Sequence, residues 1–65
     1  MNQYTISKGT KTALITNNSF TEDGETISQV TVIVYVGFGT SGETALRSNT
    51  LKTVKNAEKW ANINM

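Results

Sequence analysis

The chain has no cysteine, no histidine and no proline among its 65 residues, and only five of them are aromatic. Without cysteine no disulfide can form, and without cysteine or histidine a structural zinc site of the ordinary kind lacks its ligands. The same two absences remove the thiol nucleophile, the imidazole base, the Ser–His pair and the usual haem ligands. The longest clearly apolar stretch without a charge runs from Val30 to Phe38. It is far shorter than the roughly 20 residues that cross a bilayer, so no membrane span is expected. The opening residues, MNQYTISKGTK, lack a basic stretch followed by an apolar one, so no signal peptide is expected. A cytoplasmic location fits this reading.

A chain of this length makes one domain, residues 1–65, and buries only about 60% of its unfolded surface. Small cores need help from disulfides, metals or partner chains. With the first two removed, tight packing or oligomerisation is left, and a homodimer or larger assembly is expected. Charge is nearly balanced at +1 but unevenly spread. Residues 1–45 carry Lys8 and Lys11 against Glu22, Asp23, Glu25 and Glu43, whereas residues 46–65 carry Arg47, Lys52, Lys55 and Lys59 against Glu58. Neither half is charged enough to identify a nucleic-acid binder or an acidic mimic. Ser, Thr, Asn and Gln make up 25 residues, eleven of them threonine, a composition that favours strands.

Three turn signals divide the chain. Gly9-Thr10 suits a type II′ hairpin turn, which pairs Tyr4 with Ile15, Thr5 with Leu14 and Ile6 with Ala13. Asp23-Gly24, a strong hairpin signal, pairs Ile15 with Val32, Leu14 with Ile33, Ala13 with Val34 and Phe20 with Ile27. It also sets Glu22 against Glu25, and Asn17-Asn18 is a place where a bulge would shift the outer half by one. Thr40-Ser41-Gly42, with Gly42 in the left-handed region, pairs Val36 with Leu46 and Tyr35 with Arg47. Strands are therefore expected at about 3–8, 11–17, 26–38 and 43–51. Thr53 is the expected N-cap of a helix over 54–64, in which Val54, Ala57, Trp60, Ala61 and Met65 share one arc and Lys55, Lys59 and Asn62 the other. The expected fold is α+β, a four-stranded antiparallel meander with one C-terminal helix on one face.

These registers sort the strands into two faces. The first collects Tyr4, Ile6, Ala13, Ile15, Val30, Val32, Val34, Val36, Phe38 and Leu46, and the helix should cover it. The second collects Thr5, Leu14, Phe20, Ile27, Thr31, Ile33, Tyr35 and Arg47 and is left open. Apolar patches in water mark interfaces, and aromatic residues beside an arginine are common anchors. Leu14, Phe20, Ile33 and Tyr35, flanked by Arg47, are thus the expected partner-binding residues, for a second copy or another protein.

Other motifs carry less. Gly37-Phe-Gly39-Thr-Ser-Gly42 matches G-x-G-x-x-G, but a dinucleotide site needs a helix directly after it and a second parallel strand, and neither is expected. Glu22-Asp-Gly-Glu25 lacks calcium-loop spacing and reads as a solvated turn. No carboxylate pair is placed for acid–base work, so no catalytic residue, metal or cofactor is assigned, and an enzyme is not expected. Arg47, Lys52, Lys55 and Lys59 form a basic set suited either to phosphate contact or to plain solvation.

The segment Leu51-Lys-Thr53-Val-Lys-Asn-Ala57-Glu-Lys-Trp60-Ala61 resembles the close of the Apetala-like, arm-type DNA-binding domain of phage integrases. In that family a three-stranded sheet precedes such a helix, and the sheet face opposite the helix reads DNA through Arg, Lys and aromatic residues. The resemblance covers about fifteen residues and implies Arg47 and Tyr35 on the reading face, with Leu14, Phe20, Ile27 and Ile33 departing from the family's basic pattern. In size and layout the chain is also similar to small phage proteins that inhibit host defences, anti-CRISPR proteins among them. That likeness is one of class and carries over no residue. It implies a non-enzymatic inhibitor that covers a functional surface of a larger host complex. A DNA-binding module and a small homo-oligomeric structural protein are the alternatives.

Overall fold

The computed structural model describes residues 2–65. They form six strands and a helix: β1 Asn2–Lys8, β2 Lys11–Asn17, β3 Phe20–Glu22, β4 Glu25–Ile27, β5 Val30–Val36, β6 Thr44–Leu51 and α1 Val54–Asn64. β1, β2, β5 and β6 make one antiparallel sheet in that spatial order, and β3 and β4 make a separate two-stranded one. The expected α+β meander with one C-terminal helix is therefore the observed fold.

Two turns set most of the register. Gly9 has φ 63 between Lys8 and Lys11, the left-handed first position that a type II′ turn requires. Asp23 and Gly24 have φ 52 and 78, the paired positive angles of type I′. Tyr4 faces Ile15, Leu14 faces Ile33 and Phe20 faces Ile27, all as expected, and Glu22 faces Glu25.

The expected strand over 26–38 is instead two. It breaks at Ser28-Gln29, opposite Asn18-Ser19, where side chains replace the ladder. The Asn17 Oδ1 accepts from the Ser19 amide and hydroxyl, and the Ser19 Oγ accepts from the Gln29 amide at 3.2 Å. Two residues are skipped on each side and the Asn18 amide still reaches the Gln29 carbonyl at 3.0 Å. The register beyond is consequently unshifted. β5 then ends at Val36, because Gly37 turns to φ 66.

The third turn differs more. Gly37 and Gly39, not Gly42, are left-handed, and the connection spans 37–43. Val36 pairs with Thr44 and Tyr35 with Ala45, after which a bulge moves the register so that Val34 pairs with Arg47 and Val30 with Leu51. Leu46 is the extra residue and is exposed. A one-residue shift exchanges the faces of a strand. Here it carries Leu51 to the helix side, where it packs on the core.

That core is Ala13, Ile15, Val30, Val32 and Val34 from the sheet against Ala57 and Ala61 from α1, all fully or almost fully buried. Ile6, Leu51, Val54, Trp60 and Met65 close its margins. Two alanines at helical spacing leave no side-chain bulk between backbone and sheet, so α1 lies directly on β2, β5 and β6. The Thr53 hydroxyl accepts from the Asn56 amide at 3.1 Å and starts the helix.

Candidate functional site: the open sheet face

Cross-strand partners point to the same side of a sheet, so the register defines the face that α1 leaves uncovered. Its first row is Gln3, Thr16, Thr31 and Thr50; its second is Thr5, Leu14, Ile33 and Ser48; its third is Ser7, Thr12, Tyr35 and Ala45. None of these side chains is charged. Leu14 and Ile33 form the centre, half-buried by their neighbours. The Tyr35 ring meets Phe38 with centroids 5.2 Å apart and planes at 50°, a tilted aromatic pair. Hydroxyl and amide groups surround this centre and satisfy one another in places: Gln3 Nε2 donates to Thr16 Oγ1 at 3.3 Å, and the Ser7 and Thr12 hydroxyls are 3.1 Å apart.

Several expected positions change. Phe38 does not join the helix-covered face: the left-handed Gly37 re-aims the chain and sets Phe38 beside Tyr35. Leu46, expected under the helix, is the exposed bulge residue. Arg47, expected beside Tyr35, is turned by the bulge to the helix side, where Nη1 donates to the Asn64 Oδ1 at 2.9 Å. Phe20 and Ile27 do face each other, but on the β3–β4 hairpin, which approaches no other strand and not the helix. They are 46% and 40% exposed. This finger stretches the molecule to 42 × 23 × 15 Å and raises the radius of gyration to 12.7 Å, against about 11 Å for a compact domain of this length. Of the expected partner-binding residues, the structure brings together Leu14, Ile33 and Tyr35 and removes Phe20 and Arg47; Phe38 is added beside Tyr35, and Ile27 leaves the face with Phe20. A sequence signal for Phe38 exists in retrospect: a glycine immediately before an aromatic residue at the end of a strand breaks the alternation.

The cations gather on the other side. Lys55 and Lys59 lie on the outer side of α1, away from Ala57 and Ala61, and Lys52 lies just before the helix; all three are exposed. A duplex laid on the open face, in the manner the integrase-arm resemblance implies, would meet no cation in the three rows that form it, although phosphate neutralisation dominates such affinity.

The glycine-rich loop is occupied by its own atoms. Glu43 Oε1 accepts from the Gly39 amide at 3.0 Å, the Gly37 carbonyl from the Thr40 amide at 3.1 Å and the Thr40 Oγ1 from the Gly42 amide at 3.3 Å. Those amides are the groups a phosphate would need. A strand, not a helix, follows the loop. Glu22, Asp23 and Glu25 surround the finger's turn, and no three acidic residues converge as metal ligands among the described residues. No pocket is present among the described residues, and no helix among them is long and apolar enough to cross a membrane.

No family model, no curated protein and no solved structure matches this chain.

Proposed function

We propose that this is a non-enzymatic binding protein that docks the open face of its sheet onto another protein. The observation that carries the reading is the uncharged face itself, with Leu14 and Ile33 at its centre, the Tyr35–Phe38 pair at one end and a threonine-rich border. Such a face matches the anatomy of an interface, an apolar aromatic centre inside a polar rim. The chemistry it fits is a flat, weakly polar protein surface, with the border hydroxyls hydrogen-bonding at the edge. Arg47 flanks the opposite side and is not among the anchors. The most concrete form of this function is a phage-encoded inhibitor, anti-CRISPR-like in size and layout, that covers a working surface of a host defence complex in the host cytoplasm.

The test is a double variant, Ile33→Thr with Tyr35→Thr, which keeps strand-favouring residues while removing the apolar centre. Affinity capture from host lysate with quantitative mass spectrometry should show a specific partner held by the wild-type chain and lost by the variant, with the circular dichroism unchanged. Lys55→Glu should hold the same partner. Retention by the double variant would place the contact elsewhere. Unfolding of the double variant would mean that these residues are core. Salt-dependent duplex binding by the wild-type chain, lost in Lys55→Glu, would replace this reading with the DNA-binding one.

A further inference from the structure

The two edges of the main sheet are built differently. β6 carries three features that discourage another strand from adding to it: the bulge at Leu46, a charged Arg47 near its middle, and a Thr50 amide already taken by the Asn49 Oδ1 at 2.8 Å. Bulges and charges are the usual means of closing an edge. β1 has none of these. It is a regular seven-residue strand, free of bulges, with its single charge at the terminal Lys8.

Its free hydrogen-bonding groups follow from the turn. A two-residue hairpin makes Lys8 and Lys11 a hydrogen-bonded pair, and the pattern then alternates along the strand. Ile6, Tyr4 and Asn2 therefore direct their amides and carbonyls at β2, while Gln3, Thr5 and Ser7 direct theirs outward.

We propose that β1 is the dimerisation edge, pairing antiparallel with β1 of a second copy about a two-fold axis at Thr5. In that register Thr5 meets its own counterpart and Gln3 meets Ser7 of the other copy, so all three outward residues enter hydrogen-bonded pairs. Tyr4 meets Ile6 on the helix side, an aromatic–aliphatic cross-strand pair made twice. Lys8 meets Asn2, so no like charges oppose. Shifting the axis to Ile6 sets Gln3 against the turn and Tyr4 against Lys8, and shifting it to Tyr4 leaves Ser7 without a partner among the described strand residues 2–8. The strand is thus complementary to itself, which selects a second copy over a foreign peptide. The helices do not obstruct this, because the α1 backbone lies on β2, β5 and β6 and α1 meets β1 through the Glu58 carboxylate, which accepts from the Tyr4 hydroxyl. The product is a continuous eight-stranded sheet with both helices on one side and the two open faces joined on the other. This inference is independent of what the open face binds.

The experiment uses sedimentation equilibrium and amide hydrogen exchange on the full chain. The expected mass at high concentration is twice 7.1 kDa, with the amides of Gln3, Thr5 and Ser7 protected there and losing protection on dilution. Thr5→Lys should raise the dissociation constant at least about tenfold by opposing two lysines. Thr5→Pro, which removes only an outward amide and is tolerated on an edge, should do the same with circular dichroism unchanged. A monomer at every concentration overturns the proposal. So does a dimer in which those three amides exchange freely, or one that neither variant weakens.

Discussion

The Tyr4 hydroxyl donates to Glu58 Oε2 at 2.9 Å, joining the first strand to the helix across 54 positions of sequence. Tyr4 stands on β1, the one strand of the main sheet that α1 does not lie on. Together with Arg47–Asn64 on the β6 flank, the contact secures α1 from both sides. The Tyr4 hydroxyl is pushed up to about 12, first by desolvation, then by its hydrogen bond to Glu58 and the carboxylate's charge.

This pair makes the fold sensitive to alkali. A tyrosine whose folded pKa lies above its unfolded value near 10 contributes stability that is complete below pH 10. The contribution is lost as pH rises from about 10 towards 12. In a Tyr35→Phe background, the ultraviolet signal of tyrosinate should therefore report Tyr4 ionising late. Tyr4→Phe should remove that part of the alkaline loss and cost about 0.5–1 kcal/mol at neutral pH, measured by denaturant titration.

The alanine contact between helix and sheet tolerates little enlargement. Ala57 and Ala61 are fully buried, and Ala57→Leu should force α1 away from β5, at about 1–3 kcal/mol. The measurement is the denaturant midpoint, which should fall, whereas Asn62→Leu on the exposed side should leave it nearly unchanged.

Loss of the helix cap is a smaller test of the same element. Thr53→Ala removes the acceptor of the Asn56 amide and should cost about 1 kcal/mol. Thr53→Ser, which keeps a hydroxyl, should stay close to wild type in thermal melting.

The finger should unfold alone. Gly24 has φ 78, where an L-residue is strained, and β3–β4 touches no other element. A bare two-stranded hairpin is marginal in water. Gly24→Ala should therefore abolish exchange protection in Thr21 and Thr26 while moving the global midpoint little.

Much of the fold was legible because local chemistry governs it. Gly9-Thr10 and Asp23-Gly24 admit few turn geometries, and a two-residue turn leaves the flanking strands one register. That is why Leu14–Ile33 and Ile15–Val32 could be paired from sequence. Thr53 and the spacing of Ala57, Trp60 and Ala61 likewise define a helix and its inner side without reference to the sheet.

The side to which Arg47, Phe38 and Leu46 belong could not be decided locally. The loop over 37–43 closes through its own hydrogen bonds, among them Glu43 to Gly39, and its length does not set a unique register. The bulge at Leu46 is settled by the need to bring Leu51 under α1, a contact between elements that no turn encodes. Phe20 and Ile27 were separated from the open face by side-chain bonds among Asn17, Ser19 and Gln29. By itself, then, the sequence determined the elements, two turns and the inner face of the helix. Tertiary structure decided the rest: the sides taken by Arg47 and Leu46 and the closing of the β6 edge depend on one residue of register that packing of Leu51 against the helix chooses, and the places of Phe38 and Phe20 depend on the turn at Gly37 and the Asn17–Ser19–Gln29 bonds.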